Sequence, residues 1–385
     1  MKSIFPRRYD VWRLVNRKIC HDSASVWQHP IQLISDIDKT YLETAYESLR
    51  GMARIMLERA ADKKTVEGAR EFLRAMKFQE GDLLHWNELS PPLHFISSSP
   101  PQLRPVLEHK MAMDYLTCAT NSFKDQMYNL KTGKISLIKH QVSYKVASIL
   151  SLVSRFKQTK SLILLGDNKE SDPYIYTLIK YIVTGRLGKQ ESLQCLTCMD
   201  VSQEISESIF ERLAINQLLV NKNPNQQELT VLICIRRDQK DKIDEQGELG
   251  RDIFWFDGYD ELALMFYHLG YFSEEGLLQF FLESCMHSHM EESVLKNIWR
   301  SYQEWSTRTA DESNSYMREH RQLIHQQGTQ KIDQFFATMT SGQELSAAKE
   351  NNWLLLRDPE LSGTEFTEAF CLWVKSHMVR GTAKS

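Results

Sequence analysis

Short apolar runs alternate with helical stripes through the first three quarters of the chain. Segments 31–34, 93–96, 161–165, 229–235 and 253–256 are nearly continuous in apolar residues and end in polar or turn-forming ones. Such runs predict strands buried on both faces, the mark of a parallel sheet. Between them, 44–61 has helical spacing at Leu49, Met52, Ala53, Met56 and Leu57, and 66–76 continues it. Segment 143–156 repeats the stripe at Val146, Ile149, Leu150 and Val153, and 261–269 and 275–283 read as further helices. Pro100 and Pro101 forbid extension of the second strand, so a turn begins there. The alternation predicts an α/β fold with a doubly wound parallel sheet. Beyond residue 286 the strand signals stop, and Val294, Leu295, Ile298, Trp299, Tyr302 and Trp305 mark an amphipathic helix. The expected organisation is a basic N-terminal segment (1–29), an α/β domain (30–285) with a small helical cap insert at about 44–61, and a C-terminal helical appendage (286–385).

Composition narrows the function classes. The chain has 385 residues, 42% of them hydrophobic and 25% charged, with 47 basic side chains against 50 acidic ones. A net charge of -3 argues against a dedicated nucleic-acid binder, whose affinity rests on neutralising phosphates. No apolar run approaches the roughly 18 residues of a membrane-spanning helix. Met1 to Pro6 lack the apolar core of a secretory signal, which points to the cytoplasm, although delivery into a host as a bacterial effector would leave no mark readable here. Seven scattered cysteines, an odd number, read as reduced thiols, with Cys195 and Cys198 as a lone C-x-x-C pair of buried small hydrophobes. The one strongly basic stretch is 1–18, where Lys2, Arg7, Arg8, Arg13, Arg17 and Lys18 face a single Asp10. It suits either peripheral contact with an anionic membrane or an ordinary segment covering one face of the fold.

Candidate chemistry gathers at the strand ends, where an open α/β sheet builds its site. Asp36 and Asp38 follow the first strand in Ser35-Asp36-Ile37-Asp38-Lys39-Thr40, two carboxylates placed to divide the work of nucleophile and acid/base. Ser97 ends the second strand, Lys145 stands near a helix start, and Asp167, Glu170 and Asp172 follow the strand at 161–165. Taken singly each is an ordinary turn or surface feature; the joint order carries the signal. Arg236-Arg237-Asp238 reads as a solvated loop rather than a headgroup site, and Cys285, His287 and His289 fall on different faces of a helix.

That order resembles the haloacid-dehalogenase-like (HAD) phosphohydrolases, in which Asp36 and Asp38, then Ser97, then Lys145, then Asp167 with Asp172 match four motifs in turn. More narrowly, Ile34 to Thr40, His94 to Leu103 and Leu164 to Tyr176 look like the phosphatidate phosphatase catalytic domain of the actin-patch phosphatase family. The likeness spans about 30–285 and departs from the family pattern at Lys39, where Asp is usual, and at Asn168-Lys169, where Ser-Gly is usual. The resemblance implies a HAD-like Rossmannoid fold and a phosphomonoester hydrolase working through an aspartyl-phosphate. It implies Asp36 as nucleophile, Asp38 as acid/base, and Ser97, Ser98 and Lys145 as phosphate binders. Mg²⁺ would be held by Asp36, Asp38 and Asp167, with Thr40, Glu170 and Asp172 supporting them. The implied partner is a phosphorylated substrate, with phosphatidate or a related phospholipid favoured; a phosphoprotein or soluble-metabolite phosphatase, and a non-catalytic membrane-associated binding protein, are the alternatives. Both substituted loops should border the phosphate, so substrate choice is where this chain should differ.

Overall fold

A computed structural model of the protein describes residues 11–44, 58–76, 90–125, 141–212, 229–237, 249–287, 361 and 363–378. Its strands are β1 (Val15–Ile19), β2 (Ile31–Asp36), β3 (Leu93–Ser97), β4 (Thr120–Lys124), β5 (Ser161–Asp167), β6 (Thr230–Arg236) and β7 (Phe254–Phe256). Its helices are α1 (Ala24–Gln28), α2 (Ala69–Ala75), α3 (Arg104–Met113), α4 (Gln141–Val153), α5 (Asp172–Val183), α6 (Lys189–Cys198), α7 (Gln203–Arg212), α8 (Tyr259–His268), α9 (Glu274–His287) and α10 (Gly363–Met378).

The seven strands form one sheet in the order β1-β4-β3-β2-β5-β6-β7. All pairs are parallel except β1 with β4. The chain winds outward from β2 through β3 to β4, then crosses to β5, β6 and β7 on the other side. This is the Rossmann-like winding order, and it creates a switch point at the carboxyl ends of β2 and β5. Central strands are buried along most of their length: Leu33 and Ile34 on β2, Phe95 and Ile96 on β3, Leu162 to Leu165 on β5 and Val231 to Ile235 on β6. Those runs supply the apolar area that drives assembly, roughly 25 cal/mol for each Å² removed from water.

Three observations bear on those expectations. The N-terminal segment does not stand apart from the α/β domain. Val15–Ile19 pairs in register with Lys124–Thr120 and becomes the antiparallel edge strand. Two of its six cations are engaged within the fold. Arg17 donates Nε to Ser122 Oγ (3.0 Å), Nη1 to Ser151 Oγ (2.9 Å) and Nη2 to the Ser148 carbonyl (2.7 Å), while Lys18 pairs with Glu108 at 2.8 Å. Burial lowers the Arg17 pKa to about 10. Any membrane contact through 1–18 therefore falls to its earlier residues, of which 1–10 lie outside the described part.

The cysteines are not all reduced either. Cys198 on α6 is disulfide-bonded to Cys371 on α10 across 173 residues of sequence. Cys195 is a free buried thiol within reach of Thr367 Oγ1 (3.9 Å), so both halves of the C-x-x-C pair face α10.

Third, α10, within the expected C-terminal helical region, packs on helices of the sheet-bearing unit. Phe366 stacks on Tyr181 (centroids 3.7 Å apart) and Trp373 tilts against Tyr174 (4.6 Å), seating the helix against α5 and α6. The chain divides into two compact units, one of 1–66, 88–257 and 355–385, the other of 67–87 and 258–354. The first holds the whole sheet. Within the second, α2 packs on α8 and α9, with the Phe72 ring against Tyr259, Phe266 and Phe272 and Arg74 paired with Glu283 at 3.1 Å.

Of the expected insert helix at 44–61, residues 45–57 lie outside the described part, and 60–62 form a single tight turn. The helix expected around 294–305 also lies outside it. No described helix is long and apolar enough to cross a membrane.

Candidate active site

Four neighbouring chain segments bring their polar residues to the switch point. Strand β2 ends at Asp36, and the chain at once turns back on itself: the Ile37 carbonyl accepts from the amides of Tyr41 (3.0 Å) and Leu42 (2.9 Å), and Lys39 N–H donates to the Leu42 carbonyl (2.7 Å). Lys39 takes a left-handed conformation (φ 61°) to close this turn. Non-glycine residues adopt that region at a cost of about 1–2 kcal/mol, and Asp or Asn tolerate it best. Asp38 and Thr40 are thereby buried inside the loop.

Strand β3 ends at Ser97, and its three-serine turn wraps Asp38. Ser97 Oγ donates to Asp38 Oδ2 (2.8 Å), Ser99 Oγ donates to the same oxygen (3.1 Å), and Ser99 N–H donates to Ser97 Oγ (2.9 Å). Ser97, expected to hold phosphate, is thus placed here to orient the second aspartate, and Ser98 is half-buried in the turn.

Strand β5 ends at Asp167, whose Oδ1 accepts from Lys169 N–H (2.7 Å). Helix α5 then starts at Asp172, with Pro173 in its first turn and the acid near the positive end of the helix dipole. Gly166 makes this close return feasible. A Cβ at that position would lie 2.5 Å from Asp172 Oδ2 and 2.8 Å from Tyr176 Cε2.

Helix α4 brings Lys145 across the cluster. Its Nζ lies 2.5 Å from Asp172 Oδ1, 2.8 Å from Glu170 Oε2 and 3.2 Å from Asp36 Oδ1. Gln141, one helical turn earlier, donates to the same Glu170 oxygen. Asp36, Asp38, Lys145, Asp167 and Asp172 are each at most 2% exposed.

Four carboxylates thus gather round one ammonium group in a buried place, and burying a charge without full compensation is expensive. Burial, with the neighbouring acids adding to it, holds the carboxyls of Asp36 and Asp172 above their usual range and pushes Asp167 up to about 7; the Lys145 ammonium offsets part of this. Against its own burial, Lys145 is held in the charged form by Asp172, Asp36 and Glu170, and its pKa lies well above the usual lysine value. Among the described residues, both Asp36 oxygens, Asp167 Oδ2 and Asp172 Oδ2 accept no hydrogen bond, Asp36 Oδ1 having only its ion pair with Lys145. Asp36, Asp167 and Asp172 each offer an oxygen within 4.8 Å of the others. Hard, orphaned oxygens at this spacing are a donor set that a divalent cation fits.

The structure therefore brings Asp36, Lys145, Asp167, Glu170 and Asp172 into one cluster and joins Asp38 to Ser97 beside it. Asp172, expected in a supporting position, stands with Asp36 and Asp167 among the grouped carboxylates. Sequence reasoning missed Ser99, Gln141 and Arg236. The spacing of Gln141 four residues before Lys145, one turn on the same helix face, was the available signal. Arg236 ends β6 half-buried, with its Nε donating to the Lys39 carbonyl (3.0 Å), so it belongs to this edge rather than to a solvated loop. The side chains of Cys285 and His287, and all of His289, lie outside the described part.

A mostly parallel α/β sheet with a buried carboxylate and lysine cluster at its switch point defines the class of fold, a Rossmann-like sheet whose crevice lies at the carboxyl ends of its strands. Residues 31–186 match the family described as phosphatidate phosphatase APP1, catalytic domain. The matched segment runs from β2 through α5 and contains every member of the cluster. No curated protein and no solved structure shows a significant match to the chain.

Proposed function

We propose that the chain is a Mg²⁺-dependent phosphomonoesterase of the haloacid-dehalogenase type whose substrate is phosphatidate or a related phospholipid. The observation that carries the reading is the convergence of Asp36, Asp167 and Asp172 with Lys145 at the switch point, inside the family-matched segment. Mg²⁺ favours one or two carboxylates together with phosphate oxygens, and Asp36, Asp167 and Asp172 would hold it through their orphaned oxygens. Its charge, when bound, would offset the repulsion between a carboxylate and a phosphate dianion.

The chain's own residues account for the two chemical steps. An Asp36 oxygen forms a bond to phosphorus as the ester P–O bond breaks, leaving an aspartyl-phosphate. Asp38, fixed by the Ser97 and Ser99 hydroxyls, gives its proton to the departing alkoxide oxygen. Asp38 then takes a proton from a water whose oxygen attacks phosphorus, which releases inorganic phosphate and restores Asp36. Lys145 holds Asp36 in place and presents positive charge where the phosphoryl oxygens gather charge in the transition state.

Phosphate release from dioctanoyl phosphatidate, a phosphotyrosine peptide and an aryl phosphate, each with Mg²⁺ and with EDTA, tests the reading. Release that requires Mg²⁺ and is fastest on phosphatidate is expected. Release unaffected by EDTA would overturn the metal dependence, and a preference for the peptide would overturn the lipid substrate.

A further inference from the structure

Three adjacent strands of the sheet, β2, β5 and β6, each place a cation at their carboxyl ends. Lys39 sits three residues beyond Asp36, Lys169 two beyond Asp167, and Arg236 is the last residue of β6, in register with Asp167. Hydrogen bonds tie Arg236 to the turn that carries Lys39 and to the loop that carries Lys169. Arg236 Nε donates to the Lys39 carbonyl (3.0 Å), its own carbonyl accepts from Asn168 N–H (3.2 Å), and Lys169 N–H donates to Asp167. Lys39 is half-buried in its left-handed turn and Lys169 is exposed.

Arg236 is anchored through Nε alone. Among the described residues its two terminal nitrogens donate no hydrogen bond, whereas the adjacent Arg237 is committed to Asp257 at 3.4 Å. A guanidinium held by Nε presents a planar pair of N–H donors suited to bidentate capture of a phosphate or carboxylate. These cations stand at the rim, apart from Lys145, which is enclosed by Asp36, Glu170 and Asp172. Arg236 also lies beyond the family-matched residues 31–186.

We propose that Lys39, Lys169 and Arg236 form an anion subsite at the rim of the active site, which selects substrates carrying a second phosphate or carboxylate besides the scissile phosphoryl group. The proposal deepens the phosphatase reading and rests on it for the identity of the scissile site. Within that reading it favours phospholipid monoesters that carry a further phosphate or carboxylate over phosphatidate, which carries neither.

Calorimetric binding to the full chain in Mg²⁺ buffer tests it without needing turnover. The probes are glycerol 3-phosphate, 3-phosphoglycerate, which adds a carboxylate, and glycerol 1,3-bisphosphate, which adds a phosphate. At least one doubly anionic probe should bind the wild type about tenfold or more tightly than glycerol 3-phosphate, and whichever does so identifies the second group. Arg236→Gln keeps a donor for the Lys39 carbonyl but loses the charge and the fork. It should erase that preference and leave glycerol 3-phosphate binding within about twofold, and Lys169→Gln should weaken it in the same direction. Equal binding of all three probes by the wild type, or an equal loss for all three in Arg236→Gln, would overturn the subsite. Should the probes discriminate as expected while no phosphomonoester is turned over, the subsite stands and the phosphatase reading fails.

Discussion

Replacing Gly166 with alanine is the smallest change that should disable the carboxylate cluster. The added Cβ would meet Asp172 Oδ2 at 2.5 Å, Tyr176 Cε2 at 2.8 Å and Asp172 Cβ at 2.9 Å. Carbon contacts settle at about 3.5–4.0 Å, so Asp172 or the start of α5 must retreat by roughly 1 Å. The retreat stretches the 2.5 Å contact between Asp172 and Lys145, and Lys145 also positions Asp36. Overpacking of this kind costs about 1–3 kcal/mol, and a 1 Å misplacement of a catalytic group costs on the order of 10²-fold in rate. Urea unfolding of Gly166→Ala should show a lower midpoint with unchanged slope, and phosphate release from dioctanoyl phosphatidate should fall about 100-fold. In an Asp172→Ala background the stability cost should shrink by about 0.5 kcal/mol or more, because the 2.5 Å contact is gone. Wild-type stability and rate in Gly166→Ala would refute the packing argument. Strict additivity in the double variant would refute the part played by the Asp172 carboxylate.

Two further predictions concern stability. His94 is buried, hydrogen-bonded to Gln32 and Thr120 and stacked on Trp27, and burial lowers its pKa from 6.5 to about 3. A depressed pKa contributes stability above the unfolded value and loses it as pH falls, so about 5 kcal/mol should disappear between pH 6.5 and 3. Denaturant melts across that range should show the wild type losing stability more steeply than His94→Gln, and parallel slopes would contradict the assignment. Cleaving the Cys198–Cys371 bond frees a loop of 173 residues, worth up to about 5 kcal/mol of chain entropy. Dithiothreitol, or Cys371→Ser, should lower the unfolding midpoint and expose α10 to protease, whereas an unchanged midpoint and an intact α10 would show that its aromatic contacts suffice.

What the sequence revealed follows from where each signal resides. Leu162 to Leu165, and Ile31, Leu33 and Ile34 around the hydrogen-bonded Gln32, announce buried strands because a sheet covered on both faces is packed chiefly with apolar side chains. Strand β4 is illegible for the opposite reason. Thr120, Asn121, Ser122 and Lys124 are buried, and three of them meet partners from other elements: Thr120 meets His94, the Asn121 amide nitrogen meets Glu108, and Ser122 meets Arg17. Edge strand β1 hides in a basic segment because an edge needs no apolar run on both faces. Pairing of Cys198 with Cys371 across 173 residues leaves no local trace. Within the site, the order of Asp36, Ser97, Lys145 and Asp167 was readable because successive strand ends of a doubly wound sheet meet at one edge. That Ser97 turns toward Asp38, and that Arg236 reaches the Lys39 carbonyl, depends on side-chain direction after the turns close, which spacing does not encode.

The central claim is that Asp36 is the nucleophile. Its most direct test is acid-quenched incubation of the full chain with radiolabelled dioctanoyl phosphatidate and Mg²⁺, followed by peptide mapping. The account predicts a hydroxylamine-sensitive phosphoryl label on the peptide carrying Asp36, absent from Asp36→Asn, which should also release no phosphate. Turnover that leaves no covalent label, sustained by Asp36→Asn, would contradict it.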